Sequence, residues 1–174
     1  MKECGAYYIS FAVEAGSPRI RKMIHKTQKL RDVFNAMKIA SRQRIFCHGF
    51  FMAGFPDEHE EEIERTLSLV LNPYLHTAEI FNVMIYPDTE LAKLTDIVTA
   101  HDYNFDYFSA KISFSKHITA EKIKKMKADT FLKFYLNPRR IYRILRELPV
   151  YENRITAIAR LFVLFFFKIT GRLY

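Results

Sequence analysis

Hydrophobic positions in the first ninety or so residues follow two alternating patterns. Short, nearly continuous apolar runs give way to longer stretches with one apolar stripe at helical spacing. Residues 7–13, aromatic and β-branched, predict a strand. Ser17-Pro18 then starts a helix, with serine as cap and proline at the first helical position, and Ile20, Met23 and Ile24 form its stripe. Thr27 is expected to open a second helical piece, in which Leu30, Val33, Phe34 and Met37 repeat the period. Residues 45–53 are apolar, aromatic and too short for a typical helix, so they predict a strand buried on both faces. Gly54-Phe55-Pro56 is a tight turn, because proline keeps the residue before it out of helical geometry.

The next helix carries its carboxylates at its start. Asp57 and Glu60 fit a capping box, Glu58, Glu61 and Glu62 crowd the positive end of the dipole, and Ile63, Leu67, Val70 and Leu71 make one stripe. Asn72-Pro73 ends it, and residues 79–86 predict a third strand closed by Pro87. Strand, helix, strand, helix, strand is the pattern of parallel α/β structure. Its crossovers are right-handed, so the helices would cover one face of a sheet or barrel segment.

Past Pro87 the alternation stops. Residues 88–115 are expected to be a long ordered connection with short elements. Thr119 caps a helix running to residue 135, with Ile123, Met126, Phe131 and Phe134 on its inner side. Asn137-Pro138 restarts a helix with the stripe Ile141, Ile144, Leu145 and Leu148, ended by Pro149. Residues 155–169 are apolar nearly all round except for Arg160 and Lys168. As a helix they would span roughly 22 Å, short of the ~30 Å hydrocarbon core, which argues against a transmembrane span. An interfacial helix on lipid and a helix packed against protein both remain open.

Composition narrows the class. Apolar residues near half of the 174-residue chain and 15% aromatics exclude a disordered protein. The net charge of +8 is unevenly placed: residues 1–110 hold 12 basic and 15 acidic side chains, residues 111–174 hold 15 and 4. A basic C-terminal third suggests an anionic neighbour, such as membrane lipid or an acidic domain, or a solvated positive surface. No nucleic-acid-binding motif is present, so nucleic acid is not expected as a partner. Cys4 and Cys47 lack metal-ligand spacing and suit free thiols in a reducing cytosol. No apolar signal core stands at the N-terminus, so a cytoplasmic location, with or without contact to a membrane surface, is expected.

In parallel α/β folds reactive groups gather where strands turn into helices. Three such places can be named: 14–17, 54–58 and 86–89. Glu14 could hold a ligand hydroxyl or ammonium, or pair with a neighbouring base. Glu58 and its neighbours read as helix-start electrostatics, with a ligand role as the alternative. Gly16-Ser17 is a weak phosphate-loop signal. Cys47 and His48 are adjacent in a strand and point to opposite faces, which argues against shared metal ligation.

At these three turns the chain resembles the second half of a radical S-adenosylmethionine (radical SAM) enzyme. The carrying residues are Tyr8-Ile-Ser-Phe-Ala-Val-Glu14-Ala-Gly-Ser-Pro-Arg19, then Gly54-Phe-Pro-Asp-Glu58, then Tyr86-Pro-Asp-Thr89-Glu-Leu91. Family members show Glu-Ser-Gly-Ser, Gly-Leu-Pro-Gly-Glu-Thr and Pro-Tyr-Pro-Gly-Thr in that order. The subgroup with an N-terminal cobalamin-binding domain is most similar, and Phe134-Tyr135-Leu136-Asn137-Pro138 looks like the aromatic helix and break in its tail. The resemblance covers residues 1–148.

It implies an α/β fold: a partial parallel (βα) barrel, the last three strands of a (βα)6 barrel, followed by a helical C-terminal region. Residues 1–95 would be the barrel half, 96–118 a connection, and 119–174 the helical region with its basic, apolar tail. The family's Cys-x-x-x-Cys-x-x-Cys loop follows the first strand of the whole barrel, and with two cysteines this chain cannot supply it. The resemblance therefore implies a C-terminal fragment or split-gene product, inactive alone, whose partner is an N-terminal portion carrying the 4Fe-4S cluster and cobalamin. Glu14 and Ser17 would contact the methionine or ribose part of S-adenosylmethionine. The backbone around Phe51 and Met52, with Ile85 and Tyr86, would border the adenine. Asp57 and Asp88 stand where family members have glycine, and Ala15 and His59 where they have serine and threonine. The alternative function is a non-catalytic module binding a membrane surface or a partner through the basic, apolar C-terminal helix.

Overall fold

A computed structural model describes residues 1–86, 88–94 and 115–148, with the isolated positions 159 and 163. Its centre is a parallel sheet of strands β1 (Tyr8–Glu14), β2 (Phe46–Ala53) and β3 (Thr77–Asn82) in the order β1-β2-β3. Helices α1 (Pro18–Met23) and α2 (Leu30–Arg42) connect β1 to β2, and α3 (Glu60–Val70) connects β2 to β3. A short 3-10 turn (Ala92–Leu94) precedes α4 (Ala120–Tyr135) and α5 (Pro138–Glu147).

Strand alternation gives the sheet two different faces. Cys47, Phe51 and Ala53 of β2, with Ala78 and Ile80 of β3 and Val13 of β1, enter a core shared with Met37 of α2, Ile63 and Val70 of α3, and Ile123, Phe131 and Phe134 of α4. On the opposite face, register aligns Ser10, His48 and Thr77 in one row and Ala12, Phe50 and Glu79 in the next. This second face is more open: Tyr8 is exposed, and Phe50, Met52, Glu79 and Phe81 are half-buried. Among the described residues β1 has a strand neighbour on one side alone. The outer edge of β3 is covered in part, because the buried Tyr135 hydroxyl takes a hydrogen bond from the Ala78 backbone.

Local signals place several boundaries where the sequence does. Ser17 caps α1 and accepts from Ile20 N, Thr119 caps α4 and accepts from Lys122 N, and Asn137 caps α5 and accepts from Arg140 N. Other expectations are corrected by tertiary structure. Thr27 does not open α2, whose cap is Lys29 with no side-chain bond; the preceding loop is tied by Arg21 to the Gln28 carbonyl. Asp57 is not the cap of α3. It sits in the turn with φ +54°, while the cap is His59, whose N–H bonds Glu62 Oε2 at 3.0 Å.

Ile63, Leu67 and Val70 line the buried side of α3 as expected, but Leu71 is exposed. β3 starts and ends earlier than residues 79–86. Its ladder with β2 runs from His48 opposite Thr77 to Ala53 opposite Asn82, and one more bond from Val83 N to Ala53 O closes it where β2 turns away at Gly54. β2 is not fully buried on both sides, since Phe50 and Met52 remain half-buried on the open face.

Helix α5 rotates against its expected stripe. Ile141 and Leu145 are exposed, whereas Arg140 and Ile144 are buried. The cause is the C-cap of α3 and the loop that follows it, whose carbonyls face α5. Arg140 donates to the carbonyls of Leu71, Asn72 and Leu75, and Arg143 to those of Pro73 and Leu75. The Arg140 guanidinium also lies 3.6 Å from the centroid of the Phe134 ring. Pro87, most of the expected 88–115 connection, Pro149 and all of the 155–169 segment but positions 159 and 163 fall outside the described residues.

Candidate active site

The carboxyl ends of the parallel strands lie at one end of the sheet, and the three turns converge there. Ala15 and Ile20 from the first, Phe55 from the second, and Val83 and Ile85 from the third form one buried apolar cluster, joined by the partly buried Met52. Gly16 is required by close approach: a Cβ there would stand 2.8 Å from the backbone of Arg65 and Thr66 in α3. The same turn is bonded to that helix by Gly16 N to Thr66 Oγ1 at 2.9 Å.

Carboxylates hold this end together. Ser17 Oγ donates to Glu62 Oε1 at 2.6 Å, and Arg19 pairs with Glu62 while also donating to the Asp57 carbonyl at 2.7 Å. The Arg19 guanidinium, helped by Ser17 and the His59 N–H, lowers the Glu62 carboxyl to about 2. Glu58 reaches back into its own turn, with Oε2 accepting from Gly54 N at 2.7 Å and Phe55 N at 3.0 Å. It is fully buried, and burial outweighs those two bonds, raising its carboxyl to about 7. Each turn also contains an acidic residue in the left-handed region: Glu14 at φ +67°, Asp57 at +54° and Asp88 at +64°. Asp57 and Asp88 thus occupy glycine-like backbone, in keeping with the family pattern there.

The residues singled out from sequence divide into three groups. Met52 and Ile85 meet in the apolar cluster. Glu14 and Tyr86 stay accessible: the Glu14 carboxylate lies 3.7 Å from Lys26 Nζ, and the Tyr86 carbonyl accepts from Thr89 Oγ1 at 2.8 Å. Ser17 is buried in its bond to Glu62, and the Phe51 side chain is fully buried on the helix side of the sheet. Sequence reading missed the roles of Glu58, Arg19 and Glu62. The one available signal was spacing: a glutamate four residues after Gly54, across a proline, can fold back onto the turn amides.

A parallel α/β sheet with its strand-end turns gathered on one side defines an α/β protein with its candidate site at that end. Residues 1–70 match the profile of the radical SAM superfamily, and the chain belongs to that superfamily. It is 30% identical over 142 residues to an uncharacterized methyltransferase of Pyrococcus horikoshii, covering 80% of this chain and 31% of that protein. Over 92 residues it is 30% identical to a tRNA-2-methylthio-N(6)-dimethylallyladenosine synthase of Ruegeria sp., covering 52% of this chain and 21% of the relative. It is 39% identical over 57 residues to the cytidylyl-2-hydroxyethylphosphonate methyltransferase of Streptomyces wedmorensis, covering 32% and 11%. The chain therefore spans under a third of the length of these relatives.

Proposed function

We propose that this chain forms the second half of a radical SAM barrel of the cobalamin-binding subgroup, and contributes part of the pocket for S-adenosylmethionine and substrate. The observation that carries the reading is the sheet itself: three parallel strands with their turns at one end, an open face, and a first strand paired on one flank among the described residues. Two methyltransferase-named relatives make methyl transfer the favoured reaction class.

The donor set does not fit an iron–sulfur cluster. The chain has two cysteines. Cys47 is buried on the helix side, its thiol bonded to the Ile45 carbonyl and pushed by burial up to about 11. No cluster of three metal-binding side chains stands among the described residues. The cluster and cobalamin are accordingly assigned to other polypeptide, in line with a fragment or split protein.

S-adenosylmethionine fits better. The half-exposed Glu14 carboxylate suits its ammonium or ribose hydroxyls, and Met52, Ile85 and Tyr86 give an apolar border for a flat base. When bound beside a reduced cluster, this cofactor supplies a 5′-deoxyadenosyl radical. The chain's own contribution is to hold the three turns in place. Glu58 fixes Gly54 and Phe55, while Glu62 joins the first turn to α3.

The test is complementation. The chain is mixed with a separately produced N-terminal portion bearing the Cys-x-x-x-Cys-x-x-Cys loop, and iron and sulfide are reconstituted under reducing conditions. 5′-Deoxyadenosine should form in the mixture and in neither part alone. No product from the mixture, or product from this chain alone, overturns the reading. The membrane-surface alternative depends on a tail outside the described residues, and no described helix is long and apolar enough to cross a membrane.

A further inference from the structure

Helix α5 buries one face against the end of the sheet and turns the other outward. Its four arginines divide accordingly. Arg140 and Arg143 reach the carbonyls after α3, whereas Arg139 and Arg146 are exposed and pair with no carboxylate among the described residues. Arg139, Tyr142 and Arg146 make one row at i, i+3 and i+7, and Ile141 and Leu145 make the row beside it. Tyr142 is 65% exposed, Ile141 42% and Leu145 39%, and Leu136, between α4 and α5, is 62% exposed. The one acidic residue of α5, Glu147, is turned inward onto His76. The outward side of α3 is built differently: Glu61, Glu64, Arg65 and Ser68 stand exposed there, charged or polar throughout.

We propose that this outward face of α5 docks on an anionic lipid surface, with Ile141, Tyr142 and Leu145 entering the headgroup boundary and Arg139 and Arg146 meeting lipid phosphates. Burial of the apolar row favours contact, arginine stems can extend beside it to charged headgroups, and a tyrosine suits the boundary between the two. Charge complementarity chooses the occupant. The face holds two unpaired cations and no carboxylate, and residues 111–174 carry 15 basic against 4 acidic side chains, so the matching surface is negative. A second copy of the chain would set these arginines against their own kind. A folded protein partner buries ~800 Å² per side in a stable interface, more than four partly exposed side chains offer. The inward arginines hold α5 to the body of the protein, so the face is presented ready-formed. It lies on a described helix and does not depend on residues 155–169.

The chain contains no tryptophan, so Tyr142→Trp puts a single reporter on the face. The full chain with this substitution is mixed with vesicles of phosphatidylcholine alone, or of phosphatidylcholine with phosphatidylserine. Its emission should shift to the blue with the anionic vesicles, be quenched by lipid brominated in the acyl chain, and stay unshifted with the neutral ones. Glu61→Trp, in the first turn of α3 at the other end of the sheet, should show neither effect. Arg139→Gln combined with Arg146→Gln should weaken binding to the anionic vesicles about thirtyfold. Ile141→Ser combined with Leu145→Ser should weaken it too, but keep the preference for phosphatidylserine. All these positions except Leu145 and Ile141 are fully on the surface, and those two are exposed, so the fold should survive each change, as circular dichroism would verify. No shift at position 142 with anionic vesicles, an equal shift with neutral ones, or unchanged affinity in the double arginine variant overturns the proposal. A blue shift that grows with protein concentration without lipid also overturns it, by showing that a second copy covers the face. The complementation experiment can fail without changing any of these outcomes.

Discussion

The two ends of the sheet are held by opposite charges. At the carboxyl ends of the strands, where helices begin, Glu58 and Glu62 accept from backbone N–H groups. At the other end, where α3 finishes, Arg140 and Arg143 donate to backbone carbonyls. The division follows the chain around α3: turn and cap N–H groups ahead of the helix meet the carboxylates, and carbonyls at its C-cap and in the loop after it meet the guanidinium groups. The ends differ in purpose as well. The arginine end is closed by α5, and there Cys47 N donates to His76 Nδ1 at 2.9 Å, with Glu147 2.9 Å from Nε2. Since Nδ1 is already an acceptor, His76 holds its proton on Nε2, and burial keeps it neutral, with its pKa lowered to about 4. The carboxylate end keeps part-exposed groups around an apolar cluster.

Three substitutions would sharpen or break this contrast. The largest effect belongs to the arginine end. Arg140→Ala should lower the unfolding free energy by about 3 kcal/mol, because it removes three charge-assisted hydrogen bonds and the stacking on Phe134, although Leu75 O keeps Arg143 and Asn72 O keeps the Leu75 N–H. Urea denaturation measures it, and a loss below about 1 kcal/mol would show that water replaces the guanidinium.

Next comes the seat of the first turn on α3. Gly16→Ala forces a Cβ to 2.8 Å from helix backbone and should cost about 2 kcal/mol in the same assay. A neutral result would mean that the turn and the helix are not rigidly joined.

The smallest effect separates the ends by pH. A carboxyl raised from 4.5 to about 7 in the folded protein stabilises fully below its unfolded value, and this contribution is lost as pH rises from 4.5 through about 7. His76, lowered from 6.5 to about 4, acts in the opposite sense, its contribution being lost as pH falls from 6.5 toward 4. Stability should therefore fall by about 1 kcal/mol between pH 6.5 and 8 through Glu58 alone. Glu58→Gln should flatten that limb and, because Glu58 and His76 act in opposite senses between pH 4.5 and 6.5, make the fall in stability on the acid side steeper. An unchanged slope would mean that Glu58 is ionised in the folded protein.

What could be read from sequence was local. Ser17, Thr119 and Asn137 cap their helices because a short polar side chain needs nothing beyond the next turn. The converging turns were likewise legible in order, since turn chemistry and the resemblance pointed to the same three places. Glu58 was hidden in a run of acids, and only the folded turn distinguishes it from its solvated neighbours. Arg140 was hidden more deeply, because an arginine is buried only when another element brings carbonyls to it. The end of β3 also depended on a neighbour, for the ladder stops where β2 departs.

Among the described residues five non-glycine residues adopt left-handed backbone, and they fall into two kinds. His25 and Arg44 each come two residues after the last residue of a helix, where such a conformation is a common terminator. Glu14 ends a strand and Asp57 and Asp88 come after strands, and nothing in their chemistry prefers that geometry over an extended one. Each is kept there by its surroundings, which makes the three bends mutually dependent: loosening one lets its segment straighten and withdraws support from the next. The strand-end turns would then open as one cooperative unit, at a lower free energy than the sealed end needs, and hydrogen exchange would register it as a single sub-global event.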